Sequence, residues 1–285
     1  MKEHHHPLIS PVRPPLDPTM FHAVRRHFRL WRRFAAQSLV REMHFRTQFI
    51  TQIVVGVVQL VLSLVPVLLL FSYTDEVNGW SGGEVIALGG IYQIVFALLA
   101  IAIETNMGRI SGYIRQGELD LILVRPVSSQ FYVMLRWLQP GEVFTGLTGV
   151  GVVIIGLARA GASPTMVEIV QATILIGCGA ILLACCWAAA VFVAFWITTV
   201  GPMEMVFRDF LEAGKYPVAF YPFAIRLFLV AILPVGFATT FPTEALVGEG
   251  SWTIVLLGIA LCAVALYGLR AYWRFAVRFY ASASS

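Results

Sequence analysis

The sequence predicts an all-α membrane protein with six transmembrane helices, and three observations carry that expectation. Hydrophobic side chains make up 58% of the 285 residues and charged ones only 13%. With a mean hydropathy of +0.79, the apolar surface exceeds what a soluble core of ordinary composition encloses. Apolar runs near the roughly 20 residues that a bilayer-crossing helix needs recur at 48–71, 85–107, 141–158, 168–198, 223–240 and 252–273. Basic residues gather in alternate connecting segments, which is how a chain retains Lys and Arg on one side of a membrane.

Residues 1–19, with HHH and several prolines, are expected to form a disordered tail rather than a metal site. Residues 20–46 place Phe21, Val24, Phe28, Trp31, Ala35 and Leu39 at three- and four-residue steps beside Arg25, Arg26, Arg29, Arg32 and Arg33. That pattern predicts a basic amphipathic helix lying in the membrane interface. No apolar run of the kind a cleaved leader needs occurs in the first 44 residues. Residues 47–275 then form the six-span domain, and 276–285 a short tail.

The arm before the first span carries nine basic residues, 108–140 carries Arg109, Arg115, Arg125 and Arg136, 199–226 carries Arg208, Lys215 and Arg226, and the C-terminal end carries Arg270, Arg274 and Arg278. That places nineteen of the twenty on one side, with Arg159 alone opposite, among Asp75, Glu76, Glu84, Glu168, Glu244 and Glu249. Both termini are therefore expected in the cytoplasm of a cell or inner membrane. The net charge of +4 reads as topology and contact with anionic lipid, not as nucleic-acid binding.

Within the spans, Cys178, Cys185, Cys186 and Cys262 lack metal or redox spacing and read as small buried hydrophobes. Gln52, Gln59, Tyr92 and Gln93 are polar groups that either line a path or bond between helices. Glu104 and Glu142 fall near the cytoplasmic boundary, where a pathway role competes with pairing to Arg109 or Arg136. Gly146, Gly149 and Gly151, and Gly177 with Gly179, would permit close helix packing. Pro222 and Pro234 make the fifth run short or broken.

Between the second and third runs, Gly117 is expected to end a helix, Glu118 and Asp120 to start another, Leu119 to Val124 to give it an apolar surface, and Pro126 to stop it after Arg125. Such a short helix on the cytoplasmic face would leave apolar and charged groups open to another protein. The competing reading is a loop that dips into lipid.

This stretch, GELDLILVRPVSSQFYV, resembles the G-E-L-D-x-x-L-x-R-P-[VL] signature of membrane subunits of type 2 ABC exporters, the ABC-2 family of permeases. Tyr216-Pro217, Tyr221-Pro222, Pro234 and Phe241-Pro242 resemble the proline pattern that the family carries later, and the similarity extends from about residue 20 onward. The resemblance implies a non-enzymatic permease that pairs with a second permease, more a distinct one than a copy of itself. It also implies two copies of a separate ATPase subunit, which hold the ATP and Mg. Gly117, Glu118, Leu119, Asp120, Arg125 and Pro126 would then form the coupling helix that sits in a groove of the ATPase, and residues Phe241 to Ser251 would form short re-entrant helices.

The residues themselves support that division of labour. A phosphate-binding GxxxxGK[ST] run is absent, since Gly214-Lys215 is followed by Tyr216. Two other classes compete with an exporter subunit. A membrane-embedded transferase would need His, Asp or Cys constellations near one interface, and the spans contain no histidine. A secondary transporter would favour midplane charges and repeated halves, and neither is evident.

Overall fold

The computed structural model describes residues 20–43, 56, 58, 61–63, 65–125, 127–197 and 201–280. The expected tail at 1–19, half of the first span at 48–71, Gln52, Gln59, Pro126 and 281–285 lie outside the described residues; within that first span the apolar helix Val61–Leu70 is found.

The described chain is helical apart from a two-stranded hairpin, Glu76–Val77 with Trp80–Ser81, turned at Asn78 and Gly79. The amphipathic helix is present as α1 (Met20–Met43). The second run forms α2 (Gly82–Leu99), which passes through a π-helical turn, Ala100–Glu104, into α3 (Thr105–Arg115). Two short helices follow, α4 (Glu118–Leu123) and α5 (Ser129–Leu135), and then α6 (Glu142–Ala160) and α7 (Met166–Phe192). The chain closes with α8 (Gly201–Glu212), α9 (Phe223–Ala231), α10 (Val235–Ala238), α11 (Thr240–Leu246) and α12 (Trp252–Arg278). Four helices among the described residues are long and apolar enough to cross a membrane: Gly82–Arg115, Glu142–Ala160, Met166–Phe195 and Trp252–Arg278. A fifth is added if the bent pair α9 with α10–α11 counts as one span.

Two helix starts explain acids that the charge pattern alone assigned to loops. Ser81 and Glu84 form a reciprocal capping box at α2, and Thr165 with Glu168 forms another at α7. Each pair satisfies two backbone donors that a helix start leaves open.

The α2–α6 pair approaches unusually closely because glycine faces backbone. A Cβ at Gly156 would lie 2.3 Å from the Ala87 nitrogen, one at Gly83 2.4 Å from the Ala160 nitrogen, and one at Gly90 2.6 Å from the Val153 nitrogen. Gly149 joins this seam as expected, and Gly179 holds α7 against Ala238. Gly151 and Gly177 face open space, so small size is not what packs them. Gln93 adds a polar tie to the same seam, donating from Nε2 to the Thr148 hydroxyl at 3.0 Å.

The segment 199–226 is not the expected cytoplasmic loop. Its helix α8 lies along α7, with Phe207 against the Trp187 ring at 5.2 Å, and ends where Gly214 meets Tyr92 and Val235. Tyr216, Ala219 and Phe220 then pack with Trp80, Val85 and Leu88, and the Asn78 amide donates to the Ala219 carbonyl at 3.2 Å. Arg226 donates to that same carbonyl at 3.1 Å. Residues 216–226 therefore belong with the Asn78 end of the bundle, opposite α4. The run at 223–240 is broken, as its prolines lead the sequence reading to expect: α9 and α10–α11 meet at 67°, with Pro234 at the break. Proline removes a helix donor and crowds the preceding turn. Helix α8 is too charged to register as an apolar run, which is why the sequence pattern reads it as part of a connecting loop.

A methyl added at Gly156 must push Ala87 backbone. Gly156→Ala should cost about 1–3 kcal/mol through overpacking and lower the detergent-solution melting temperature, whereas Gly151→Ala should leave it unchanged. Equal melting of the two variants would show that the α2–α6 seam is not closely packed.

Candidate functional site

The short helix α4 forms where the sequence places it. Gly117 stands in the left-handed region at φ 71°, which favours glycine, and Glu118 and Asp120 occupy the first turn. Its apolar residues divide between two faces. Leu119 and Ile122 are buried in the main core cluster with Tyr113, Tyr132 and Val133. Leu121 and Val124 remain 65% and 80% exposed. The chain thus covers half of the apolar surface that the sequence reading left open.

Glu118 and Arg125 are exposed, Gly117 and Asp120 half-buried. Asp120 stands beside Tyr280, where burial, and then the Asp120 carboxylate, raise the phenol above its ordinary range. Arg125 donates to the Tyr132 hydroxyl at 2.9 Å and stacks over its ring, with 4.8 Å between the guanidinium and the ring centroid. Arg136 donates to the same hydroxyl. Phe34 of α1 meets the Tyr132 ring edge-on at 5.8 Å. Trp273 of α12 donates to the Ser129 hydroxyl at 3.2 Å. Helices from both ends of the chain therefore converge on α4 and α5.

The segment that returns from α5 to α6 is fixed to the second span. Asn106, fully buried on α3, accepts from the Trp137 backbone N–H at 3.0 Å and donates to the Trp137 carbonyl at 2.7 Å and to the Ala102 carbonyl at 2.8 Å. One turn earlier, Gln139 N–H donates to the Ile101 carbonyl at 3.0 Å, and the Gln139 side chain bonds Thr105. Both Ile101 and Ala102 lie in the π turn, whose wider ring disturbs the i−4 ladder. The extended segment supplies a partner there. Leu138 N–H donates to the Ser38 hydroxyl of α1 at 3.3 Å, and the Trp137 indole donates to Tyr113 at 2.8 Å under the Arg109 guanidinium, 4.2 Å from the ring centroid.

Glu104 does not pair with Arg109 or Arg136, which are engaged by Trp137 and Tyr132. Its carboxylate pairs with Arg208 of α8. Glu142 occupies the first turn of α6, where the helix dipole favours an acid. No group of three or more His, Cys, Asp or Glu placed to hold a metal occurs among the described residues. The residues that sequence reading missed are Asn106, Trp137, Ser38 and Tyr132. An asparagine inside an apolar helix was the one signal that could have flagged the clasp.

A family model described as ABC-2 family transporter protein matches residues 37–284. The chain belongs to the ABC-2 transporter family. The match takes in α2 to α12 and so the whole α4–α5 region as well as the spans. The chain is accordingly an ABC-2 type permease, a multi-pass membrane component of an ABC transporter. It matches no curated protein and no solved structure.

Trp137, Leu138 and Gln139 donate their backbone N–H groups to other elements although they lie in no helix. In hydrogen-exchange measurements on the ABC-2 permease their amides should exchange as slowly as those of α5. Rapid exchange there would show that the clasp to the second span does not persist in solution.

Proposed function

We propose that the chain is the permease half of an ATP-driven ABC exporter, with α4 as its coupling helix. In this reading the ATP and Mg reside in a separate ATPase subunit present in two copies, and a distinct second permease completes the translocation path. Six crossings follow from the fold if 48–71 is the first, α2–α3 the second, α6 and α7 the next two, α8 with the turns up to Phe220 the fifth, and α12 the sixth. The pair α9 and α10–α11 then enters from the Asn78 end and returns to it.

Sidedness is supported by charge. Among the described residues, the α4 end holds Arg109, Arg115, Arg125, Arg136, Arg270, Arg274 and Arg278 together with the basic helix α1, and Arg159 and Arg226 stand at the opposite end. Under the positive-inside bias the α4 end, and both termini, face the cytoplasm of the cell membrane.

The observation that carries the coupling reading is the exposure of Leu121 and Val124 on a helix whose other face is fixed inside the permease. Apolar groups on a rigid mount, flanked by Glu118 and Arg125, suit a groove with its own apolar floor and charged rim. Glu118, Leu119, Asp120, Gly117 and Arg125 divide accordingly: Glu118 toward the partner, Leu119 and Asp120 toward the permease, Arg125 at the rim with its guanidinium held on Tyr132, and Gly117 setting the start of the helix.

The Leu121→Asp, Val124→Asp double variant alters nothing that the permease buries. It should insert and melt like the parent yet lose at least tenfold in ATPase copurification, about 1.4 kcal/mol or more. Retention of the ATPase at parental levels would refute α4 as the docking element.

A further inference from the structure

A ladder of cations and rings runs from α3 through α5 to the end of α4. Arg109 lies over the Trp137 ring, 4.2 Å from its centroid, and Arg136 lies 5.0 Å from the same ring and 4.9 Å from the Tyr132 ring. Arg125 follows at 4.8 Å from Tyr132. Three guanidiniums thus alternate with two aromatic side chains. None of the three pairs with a carboxylate among the described residues. A ring face attracts a cation without neutralising it, so the ladder keeps its positive charge.

Tyr132 concentrates that charge. Its hydroxyl accepts from Arg125 at 2.9 Å and also from Arg136. Two such bonds fill the acceptor capacity of a phenol and leave its own O–H as a donor, for which no acceptor stands among the described residues. Tyr132 is 5% exposed, whereas Arg109 and Arg125 are exposed and Arg136 half-buried. The phenol is therefore the floor, and the guanidiniums the accessible wall, of a cradle built of donors alone. Guanidinium forks match the oxygens of a phosphate, so a phosphate-type oxyanion is the ligand that this set of groups takes.

Depth and surroundings favour a lipid as the source of that phosphate. Arg109 lies 27 residues beyond Gly82 on the continuous helix Gly82–Arg115, about 40 Å at 1.5 Å per residue. A hydrocarbon core of about 30 Å entered near Gly82 ends before Arg109 and leaves its long side chain among headgroups. Helix α1 packs on the ladder through Phe34 on Tyr132 and through Ser38 on Leu138. Beside Ser38, Leu39 and Val40 are 51% and 58% exposed, which supplies apolar surface for acyl chains next to the charge. A free phosphate would use only the charge.

We propose that Arg109, Arg125, Arg136 and Tyr132 hold the phosphate of an anionic lipid headgroup, a resident lipid that neutralises the ladder and fastens α1 to the α4–α5 region. The site needs the membrane placement of the chain but neither ATPase docking nor cargo.

The test is native mass spectrometry of the detergent-purified full chain with phosphatidylglycerol or phosphatidylcholine added at equal concentration. Phosphatidylglycerol should be retained about tenfold better, in line with two or more basic residues near one anionic headgroup. Inorganic phosphate in millimolar excess should not displace it. The preference should fall to near parity in Tyr132→Phe, Arg136→Gln, which keeps both the ring and a polar side chain, and should persist in Arg159→Gln, which removes a charge at the opposite end. Equal retention of the two lipids by the parent overturns the proposal, and that comparison needs no variant. An undiminished preference in the double variant, or an equal loss in Arg159→Gln, overturns the assigned residues. Displacement by inorganic phosphate overturns the lipid as the source. Each result is read on the permease alone, so it stands whether or not α4 docks an ATPase.

Discussion

The fold around the membrane face depends on one buried amide. Asn106 sits inside an apolar helix where an unpaired carboxamide would be costly, and it is satisfied only because the Trp137 backbone comes to it. Each buried polar group left without its partner costs about 1–3 kcal/mol, so the asparagine and the extended segment hold one another in place. The π turn makes this geometry available, since its Ile101 carbonyl is met from outside the helix by Gln139 N–H and its Ala102 carbonyl by the Asn106 amide one turn along the same helix. The pair converts a loop into an extension of the second span.

From that fixed point the rest of the α4–α5 region is built outward. Tyr132 gathers two guanidiniums on its hydroxyl and the Phe34 edge on its ring, which ties α5 to α1. Trp273 reaches the start of α5 from the last helix, and Phe192 and Phe195 pack around its indole. A displacement of α4 therefore cannot be absorbed locally; it has to be carried by the second span, the amphipathic helix and the last helix together. Under the coupling role proposed for α4, such a mount would let force applied at that helix reach the spans.

The fold class was legible because long apolar runs survive as helices: 85–107, 141–158, 168–198 and 252–273 each fall within or nearly within Gly82–Arg115, Glu142–Ala160, Met166–Phe195 and Trp252–Arg278. The extent of α4 was legible because Gly117 and the two acids are local start signals. What hydropathy could not show is α8, whose Arg208, Asp209 and Glu212, with Lys215 in the turn that follows, read as a soluble loop until packing places Arg208 beside Glu104 and Lys215 beside Tyr92. The clasp was hidden for a related reason: Asn106 and Trp137 are 31 residues apart, and no local pattern links a side chain to a distant backbone. The buried half of α4 was likewise invisible, because Leu119 and Ile122 are covered by residues remote in sequence.

The central claim is that Asn106 fixes the position of α4 relative to the second span. Spin labels at Leu98, exposed on α2, and at Val124, exposed at the end of α4, allow that distance to be read by double electron–electron resonance in the purified permease. The account predicts a single narrow distance distribution in the parent and a broadened or shifted one when Asn106→Ala is added. A narrow distribution unchanged by Asn106→Ala would contradict it.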